Sequence, residues 1–263
     1  MTIKLITGPL GPLTVRVIDD DARAGPPDLV VVLCHGFGAP GTDLISLARE
    51  CFELRPGLVG RVRFVFPEGL LPLEVDGAGR ASAARCWWPL DMLRLQEAIA
   101  HGADPFMADE TPPGLPEARK ALRAMLGALL LQAKVPMSRV VVGGFSQGAM
   151  LATDVVLRLD EAPAALAILS GAPVNAAEWK RLAPQRAGLR VLQAHGTHDP
   201  ILQFSWGKHL HRLLDDAGLS VDFVEFAGGH GIDGSVLEAL AALIERASSS
   251  TTAKPSSSSS SSS

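Results

Sequence analysis

The chain has few cysteines, no excess of basic residues and no long apolar run. Its 263 residues include three cysteines at no metal-ligand spacing, which indicates reduced thiols in the core or near the surface and no bound metal. With 24 Lys and Arg against 28 Asp and Glu, the net charge is −4, which argues against a nucleic-acid partner. No stretch is long enough to span a membrane, and the N-terminus lacks the apolar core of a signal peptide. We therefore expect a cytoplasmic protein without a membrane span.

Apolar strand patterns alternate with helical patterns along most of the chain. Strands are predicted at 13–18 (as an edge strand), 29–34, 62–66, 139–143, 164–169, 189–194 and 221–226. Helices are predicted at 43–54, 91–101, 116–133, 147–159, 204–217 and 233–247. This alternation predicts a doubly wound α/β fold, with a mostly parallel central sheet and helices on both faces. Since 47% of the residues are hydrophobic, residues 1–247 can form a single domain.

Two stretches fall outside this alternation. Residues 248–263 are mostly serine and cannot bury apolar surface, so we expect a disordered tail. Residues 67–113 form the longest connection and are predicted to be a lid or substrate-binding segment.

The adjacent Trp87 and Trp88 are candidate substrate-binding residues within that segment. In an extended segment they point in opposite directions, so one could line the cleft while the other packs into the body. The alternative is that both anchor the segment in the core. If neither lines the cleft, the loop over residues 37–44 is the next candidate for the specificity pocket.

The segment over residues 140–152 carries the strongest functional signal. An apolar, β-branched run ends at paired glycines, and the pattern Gly-x-Ser-x-Gly follows before a helix-forming stretch. This strand–turn–helix context is typical of a nucleophile elbow, in which a tight turn exposes the serine hydroxyl above the sheet edge. We therefore predict that Ser146 is a nucleophile. The alternative is an ordinary glycine-rich turn.

A serine nucleophile requires a base and an acid that orients the base. Nucleophile-elbow sites supply them in the chain order Ser, Asp or Glu, His. Asp199 and His230 follow two successive strands after Ser146, so we predict that they converge on it. The rival base is His198. The rival acids lie on predicted helices, at a strand start or after the base: Asp154, Asp160, Asp222 and Asp233.

Two backbone N–H groups are candidates for an oxyanion hole. The N–H of Gln147 lies at the predicted helix start and can point at an oxyanion. The second donor in such sites comes from the loop after an early strand. Here that loop reads His-Gly-Phe-Gly-Ala from residue 35, and the N–H of Phe37 is the natural donor. We interpret His35, which precedes the nucleophile, as a hydrogen-bonding brace for the loop.

Four motifs in this order resemble the carboxylesterase/phospholipase family of the α/β-hydrolases, which includes acyl-protein thioesterases and small bacterial carboxylesterases. They read LCHGFG over 33–38, GGFSQGAM over 143–150, HGTHDP over 195–200 and GGH over 228–230. The resemblance runs from about residue 29 to residue 247. It implies an α/β-hydrolase fold.

The resemblance also implies a reaction centre and its chemistry. The triad would be Ser146, His230 and Asp199, with Phe37 and Gln147 as oxyanion donors. It would hydrolyse small to medium acyl esters through an acyl-serine intermediate, without a metal or an organic cofactor. A thioesterase or lysophospholipase with the same triad is the alternative, and a non-catalytic binding protein on the same scaffold is the alternative of another class. A monomer and a homodimer are both compatible with the sequence.

Overall fold

A computed structural model describes residues 3–20, 23–90 and 111–249 of the chain. The strands are β1 (Ile3–Leu10), β2 (Leu13–Asp20), β3 (Leu29–Cys34), β4 (Val62–Pro67), β5 (Leu71–Pro72), β6 (Arg85–Cys86), β7 (Val140–Phe145), β8 (Ala165–Leu169), β9 (Arg190–Gly196) and β10 (Ser220–Phe226). The helices are α1 (Ile45–Leu54), α2 (Leu115–Ala133), α3 (Gln147–Val156), α4 (Ala176–Leu182), α5 (Phe204–Asp216) and α6 (Gly234–Ser249).

Eight strands form one sheet in the order β1-β2-β4-β3-β7-β8-β9-β10, while β5 and β6 form a separate hairpin. Strands β3, β4 and β7 to β10 run parallel, and β1 and β2 are antiparallel to their neighbours. The predicted mostly parallel sheet is therefore confirmed. Because the parallel strands share a direction, the loops that follow β3, β7, β9 and β10 emerge at one edge of the sheet.

The continuous apolar run of β3 is explained by burial on both faces of the sheet. Val30, Val32 and Cys34 point to the layer covered mainly by α2, α3 and α5. The alternate residues of the same strand point to the layer covered by α1 and α6. This period of two places one polypeptide stretch in two separate cores and fixes the strand at the centre of the sheet.

The edge of the sheet differs from the sequence prediction. The run over 13–18 is a strand, but β1 pairs with its full length and is itself the edge strand. The prediction missed β1 because its side chains are mostly exposed and Gly8 and Pro9 interrupt its apolar pattern. Hairpin β5–β6 and helix α4 were also not predicted, since each is short. The helix predicted over 91–101 lies outside the described residues.

Helix α6 continues two residues past the predicted domain boundary at residue 247. Ser248 is buried, and its hydroxyl donates a hydrogen bond to the carbonyl oxygen of Glu245. The carbonyl oxygen of Ser248 accepts a hydrogen bond from Nη2 of Arg61 at 3.3 Å. Residues 248 and 249 therefore belong to the domain, and residues 250–263 lie outside the described ranges.

We predict different results for two truncations of the C-terminus. A chain that ends after Ser249 should keep the Tm of the full chain, because it retains the contact between Arg61 and Ser248. A chain that ends after Ala247 should melt roughly 2–4 °C lower, the shift expected for losing about 1 kcal/mol in a domain of this size. Thermal unfolding followed by circular dichroism measures both. Equal Tm values for the two truncations would contradict this assignment.

Candidate active site

Ser146 occupies a strained turn between β7 and α3. Its backbone has φ 53° and ψ −120°, a region that side-chain-bearing residues adopt rarely and at a cost in energy. Its N–H donates to the carbonyl oxygen of Leu169 at 2.9 Å, which ties the turn to β8. Its own carbonyl accepts hydrogen bonds from the N–H groups of Ala149 and Met150 in α3. The turn therefore has the geometry of a nucleophile elbow, with a partly exposed serine at its apex.

Two glycines allow three backbone segments to meet at this serine. A Cβ atom on Gly148 would lie 2.1 Å from the carbonyl oxygen of Cys34. The start of α3 can therefore approach the end of β3 this closely only because residue 148 has no side chain. A Cβ atom on Gly36 would lie 3.4 Å from Cβ of Ser146. The loop that follows β3, which carries Phe37, consequently runs directly beside Ser146.

Asp199 and His230 form the expected pair at the ends of β9 and β10. Nδ1 of His230 lies 2.7 Å from Oδ2 of Asp199. Oδ1 of Asp199 accepts hydrogen bonds from the N–H groups of Ile201 and Leu202, both at 2.9 Å. Burial raises the pKa of Asp199, but the hydrogen bonds from His230 and the two backbone groups outweigh it and hold the pKa below its ordinary value. The acid therefore remains ionised beside the imidazole.

The His230 loop is held against the elbow by two further contacts. The ring of Phe145, the residue before Ser146, packs on the imidazole with 4.8 Å between the ring centroids. The hydroxyl of Ser170 donates to the carbonyl oxygen of Gly231 at 3.3 Å. No hydrogen bond joins the described side chains of Ser146 and His230, a contact that in such sites often tightens only when substrate binds.

The rival residues lie elsewhere. His198 is exposed, and its Nδ1 contacts the Thr197 hydroxyl rather than Asp199. The rival acids have other partners in the described structure. They are Asp154 (Trp179 and the Arg119 and Arg158 guanidinium groups), Asp160 (Arg123), Asp222 (Arg246) and Asp233 (backbone N–H groups at the start of α6). The structure thus brings together the pair that the sequence predicted.

His35 makes hydrogen bonds that hold the loop of Phe37, the candidate second oxyanion donor. Its Nε2 accepts a hydrogen bond from the N–H of Gly69 at 2.9 Å, and its Nδ1 lies 2.8 Å from the carbonyl oxygen of Gly36. The first contact requires an unprotonated Nε2, so Nδ1 carries the proton in the neutral ring. Burial lowers the pKa of His35, which keeps the ring neutral. The loop is also held by the N–H of Gly38, which donates to the carbonyl oxygen of Arg85 at 2.9 Å.

The side chain of Gln147 has a role that the sequence analysis missed. Its Oε1 accepts a hydrogen bond from the N–H of Trp87 at 2.9 Å, and its Nε2 donates to the carbonyl oxygen of Trp88 at 2.8 Å. The indole N–H of Trp87 donates to the carbonyl oxygen of His35 at 2.9 Å. No sequence pattern pairs residues about 60 positions apart, so only the folded chain reveals this link.

The prediction that Trp87 or Trp88 lines the substrate cleft is wrong. Both side chains are completely buried within the core that α2 and α3 cover. One indole does not line the cleft while the other packs into the core. Both pack into the core and anchor this part of the predicted lid. Packing of two large aromatic surfaces outweighs the alternating directions of an extended segment.

A cavity of about 360 Å³ is lined in part by Phe145. Its walls come from the start of α1 and the loop that enters α6, and they combine apolar side chains with carboxylates. They include Asp43, Leu44, Ser46, Leu47, Glu50, Phe145, Ile232, Asp233 and Leu237. Phe145, which lines this cavity, also contacts the imidazole of His230.

Within residues 3–20, 23–90 and 111–249, no group of three or more His, Cys, Asp or Glu side chains is placed to hold a metal ion. In the same ranges no helix has the length and apolarity to cross a membrane. The three cysteines are buried and free, and burial raises the pKa of the Cys51 thiol to about 12.

The Phospholipase/Carboxylesterase family model matches residues 21–248. Acyl-protein thioesterase 1 of Debaryomyces hansenii is 24% identical over 213 residues, covering 79% of this chain and 85% of that protein. Acyl-protein thioesterase 1 of Eremothecium gossypii is 27% identical over 191 residues, covering 73% of this chain and 74% of the relative.

Solved structures of esterases share the fold. The crystal structure of esterase PE8 matches with a TM-score of 0.69 at 25% identity, covering 94% of this chain and 99% of that one. A carboxylesterase from Mesorhizobium loti matches with a TM-score of 0.66 at 18% identity, covering 93% of this chain and 99% of that one.

We predict that replacing Asp199 by Asn destabilises the protein near neutral pH and that the loss shrinks in acid. A carboxyl group whose pKa is lowered on folding contributes stability above its ordinary pKa of about 3.9 and loses it as the pH falls through the folded value. The expected loss at pH 7 is about 1–3 kcal/mol.

Urea unfolding of the wild type and of Asp199→Asn at pH 7 and at several pH values below about 3.9 measures the difference in their free energies of unfolding. Asp160→Asn is the control, because that carboxylate is 96% exposed and should give a small, nearly constant difference. An Asp199→Asn difference that stays constant into acid would contradict the hydrogen-bonded, ionised carboxylate.

Proposed function

The chain belongs to the phospholipase/carboxylesterase family and is a hydrolase, and we propose that Ser146, His230 and Asp199 form its reaction centre. The observation that carries this proposal is the His230–Asp199 hydrogen bond at 2.7 Å, placed against the strained Ser146 turn by the ring of Phe145.

The proposed reaction proceeds through an acyl-serine intermediate. Oγ of Ser146 attacks the carbonyl carbon and its proton passes to Nε2 of His230, since Nδ1 is bonded to Asp199. The N–H groups of Phe37 and Gln147 stabilise the oxyanion, a contribution on the order of 10²–10³ in rate per donor. The histidine then passes that proton to the leaving group, whose bond to the acyl carbon breaks, and the alcohol or thiol departs as the first product. Water, deprotonated by His230, finally attacks the acyl carbon and releases Ser146 and the carboxylic acid.

Both esters and thioesters are candidate substrates. Oxygen and sulfur leaving groups require the same nucleophile, base and oxyanion hole. The similar proteins named above include acyl-protein thioesterases and esterases. We propose carboxylic esters with small to medium acyl groups as the main substrates, with acyl thioesters as the second candidate. Relative turnover of an aryl ester and an acyl thioester of equal chain length decides between them. The buried free cysteines favour the cytoplasm as the compartment.

We also propose that the cavity behind Phe145 receives the leaving alcohol or thiol. The cavity adjoins the residue that contacts His230, and the histidine must meet the leaving group to protonate it. Carboxylates of Asp43, Glu50 and Asp233 line it together with apolar side chains. These charges repel a phosphate, so this arrangement disfavours a lysophospholipid as substrate.

We predict that Ser146→Ala folds normally and loses nearly all ester turnover, because the hydroxyl is the attacking group. Only the catalysis of the oxyanion hole and of binding would remain. A fluorophosphonate probe should modify the wild type once per chain, with peptide mapping placing the adduct on Ser146. His198→Ala is the matched control and should keep most activity, since that exposed ring does not contact Asp199.

Two results would contradict the proposed centre. Substantial turnover by Ser146→Ala would remove Ser146 as the nucleophile. A wild type that reacts with neither the probe nor activated esters would instead support a binding protein on a hydrolase scaffold.

We predict that Ser46→Trp discriminates against bulky leaving groups. Ser46 lines the cavity and is exposed, so a larger side chain can enter the space without displacing core residues. With the acyl group held constant, the ratio of kcat/KM for the ester of a bulky alcohol to kcat/KM for the methyl ester should fall at least about tenfold in this variant. Ser46→Ala should leave the ratio unchanged. An unchanged ratio in Ser46→Trp would place the leaving group elsewhere.

A further inference from the structure

Trp87 connects the two segments that carry the candidate oxyanion donors. Its indole N–H donates to the carbonyl oxygen of His35, two residues before Phe37, and its backbone N–H donates to Oε1 of Gln147. Both hydrogen bonds are 2.9 Å long. The side chains of Trp87, His35 and Gln147 are 0%, 2% and 1% exposed, so water cannot replace these bonds.

The Gln147 end of this connection has a single orientation. The amide oxygen accepts from the N–H of Trp87, and the amide nitrogen donates to the carbonyl oxygen of Trp88 at 2.8 Å. The side-chain amide thus pairs with one backbone N–H group and one backbone carbonyl group, as the backbone of a neighbouring β-strand does. Rotation of the amide by 180° would place its NH₂ group opposite the N–H of Trp87 and its oxygen opposite the carbonyl oxygen of Trp88. Both hydrogen bonds would be lost, so the orientation of Gln147 against residues 87 and 88 is fixed.

The His35 end is held on several sides. The imidazole lies next to the indole with 5.4 Å between the ring centroids, and its Nε2 accepts from the N–H of Gly69 at 2.9 Å. The carbonyl group of His35 therefore cannot shift without disturbing both the indole and the loop that follows β4. The connection between the two donor segments is stiff.

We propose that Trp87 is a positioning residue of the oxyanion hole, which holds the N–H of Phe37 at the correct separation from the N–H of Gln147. The inference rests on the proposed acyl-serine function. An oxyanion needs donors at 2.7–3.1 Å from its position. The two donors lie 110 positions apart in the chain, and Trp87 is the residue bonded both to the side chain of one donor and to the loop of the other.

The chain offers a matched pair of variants for the test. Trp87→Phe keeps an aromatic ring in the core but removes the indole N–H that binds His35. Trp88→Phe makes the same change in the neighbouring, equally buried residue, whose indole N–H has no hydrogen-bond partner in the described structure. Both substitutions open a similar cavity, so a difference between them reports the Trp87 hydrogen bond.

The readout is the preference for a trifluoromethyl ketone over the methyl ketone with the same acyl chain. With the trifluoromethyl ketone, the serine oxygen bonds to the carbonyl carbon, the serine proton passes to the histidine, and the carbonyl π electrons move onto the oxygen. That oxyanion occupies the oxyanion hole. The methyl ketone, which stays unreacted, reports ground-state binding. The ratio of the two inhibition constants therefore measures the oxyanion hole rather than the binding cleft.

Trp87→Phe should reduce the preference for the trifluoromethyl ketone about 10-fold to 100-fold. It should also lower kcat for ester hydrolysis with little change in KM. Trp88→Phe should keep the ratio within about a factor of two of the wild-type value. An unchanged ratio in Trp87→Phe, or an equal fall in both variants, would overturn the proposal.

Gln147→Met tests the other end of the connection if Trp87→Phe does not fold. It retains the backbone N–H at residue 147 but releases residues 87 and 88, and it should lower the ratio in the same way. An unchanged ratio in Gln147→Met would also overturn the proposal. A wild type without any preference for the trifluoromethyl ketone would refute the acyl-serine function itself. A wild-type preference that survives in both variants would refute only the positioning role.

Discussion

The close approach of α3 to the end of β3 is the constraint on which the candidate site depends. With no side chain on Gly148, the helix begins against the carbonyl oxygen of Cys34. Next to that contact, Ser146 adopts its positive-φ turn and the loop after β3 runs beside Ser146. The strain at Ser146 persists because packing on both sides of the sheet over-determines it.

Polar groups in this apolar setting are tolerated because they are paired. The carboxylate of Asp199 receives one hydrogen bond from His230 and two from backbone N–H groups, which offset the cost of burying its charge. Both ends of the Gln147 amide are likewise satisfied. Since an unpaired buried group costs about 1–3 kcal/mol, these networks are rigid as well as stable. Rigidity is what a reaction centre requires of its donors and acceptors.

Local patterns predicted the parts of the fold and site that depend on neighbouring residues. The parallel strands, the Ser146 turn and the positions of Asp199 and His230 follow from apolar runs, glycine pairs and strand ends, which are visible over short windows. The burial of Trp87 and Trp88 could not be predicted in this way, because it depends on contacts with His35 and Gln147, about 50 and 60 positions away. The edge strand β1 was hidden because an exposed strand carries little apolar pattern.

The buried tryptophans and the exposed residues that line the cavity have different proposed roles at the site. Trp87 is committed to the core and to hydrogen bonds with the segments of the candidate oxyanion donors, so changing it would disturb the chemistry together with the packing. The side chain of Trp88 is committed to the core alone. Exposed residues at the start of α1, such as Ser46, line the cavity behind Phe145 and make no hydrogen bond to those segments in the described structure. Substitutions there can alter the cavity behind Phe145 without moving Ser146, His230 or Asp199. Substrate preference within this scaffold should therefore vary through the walls of that cavity rather than through the tryptophan pair.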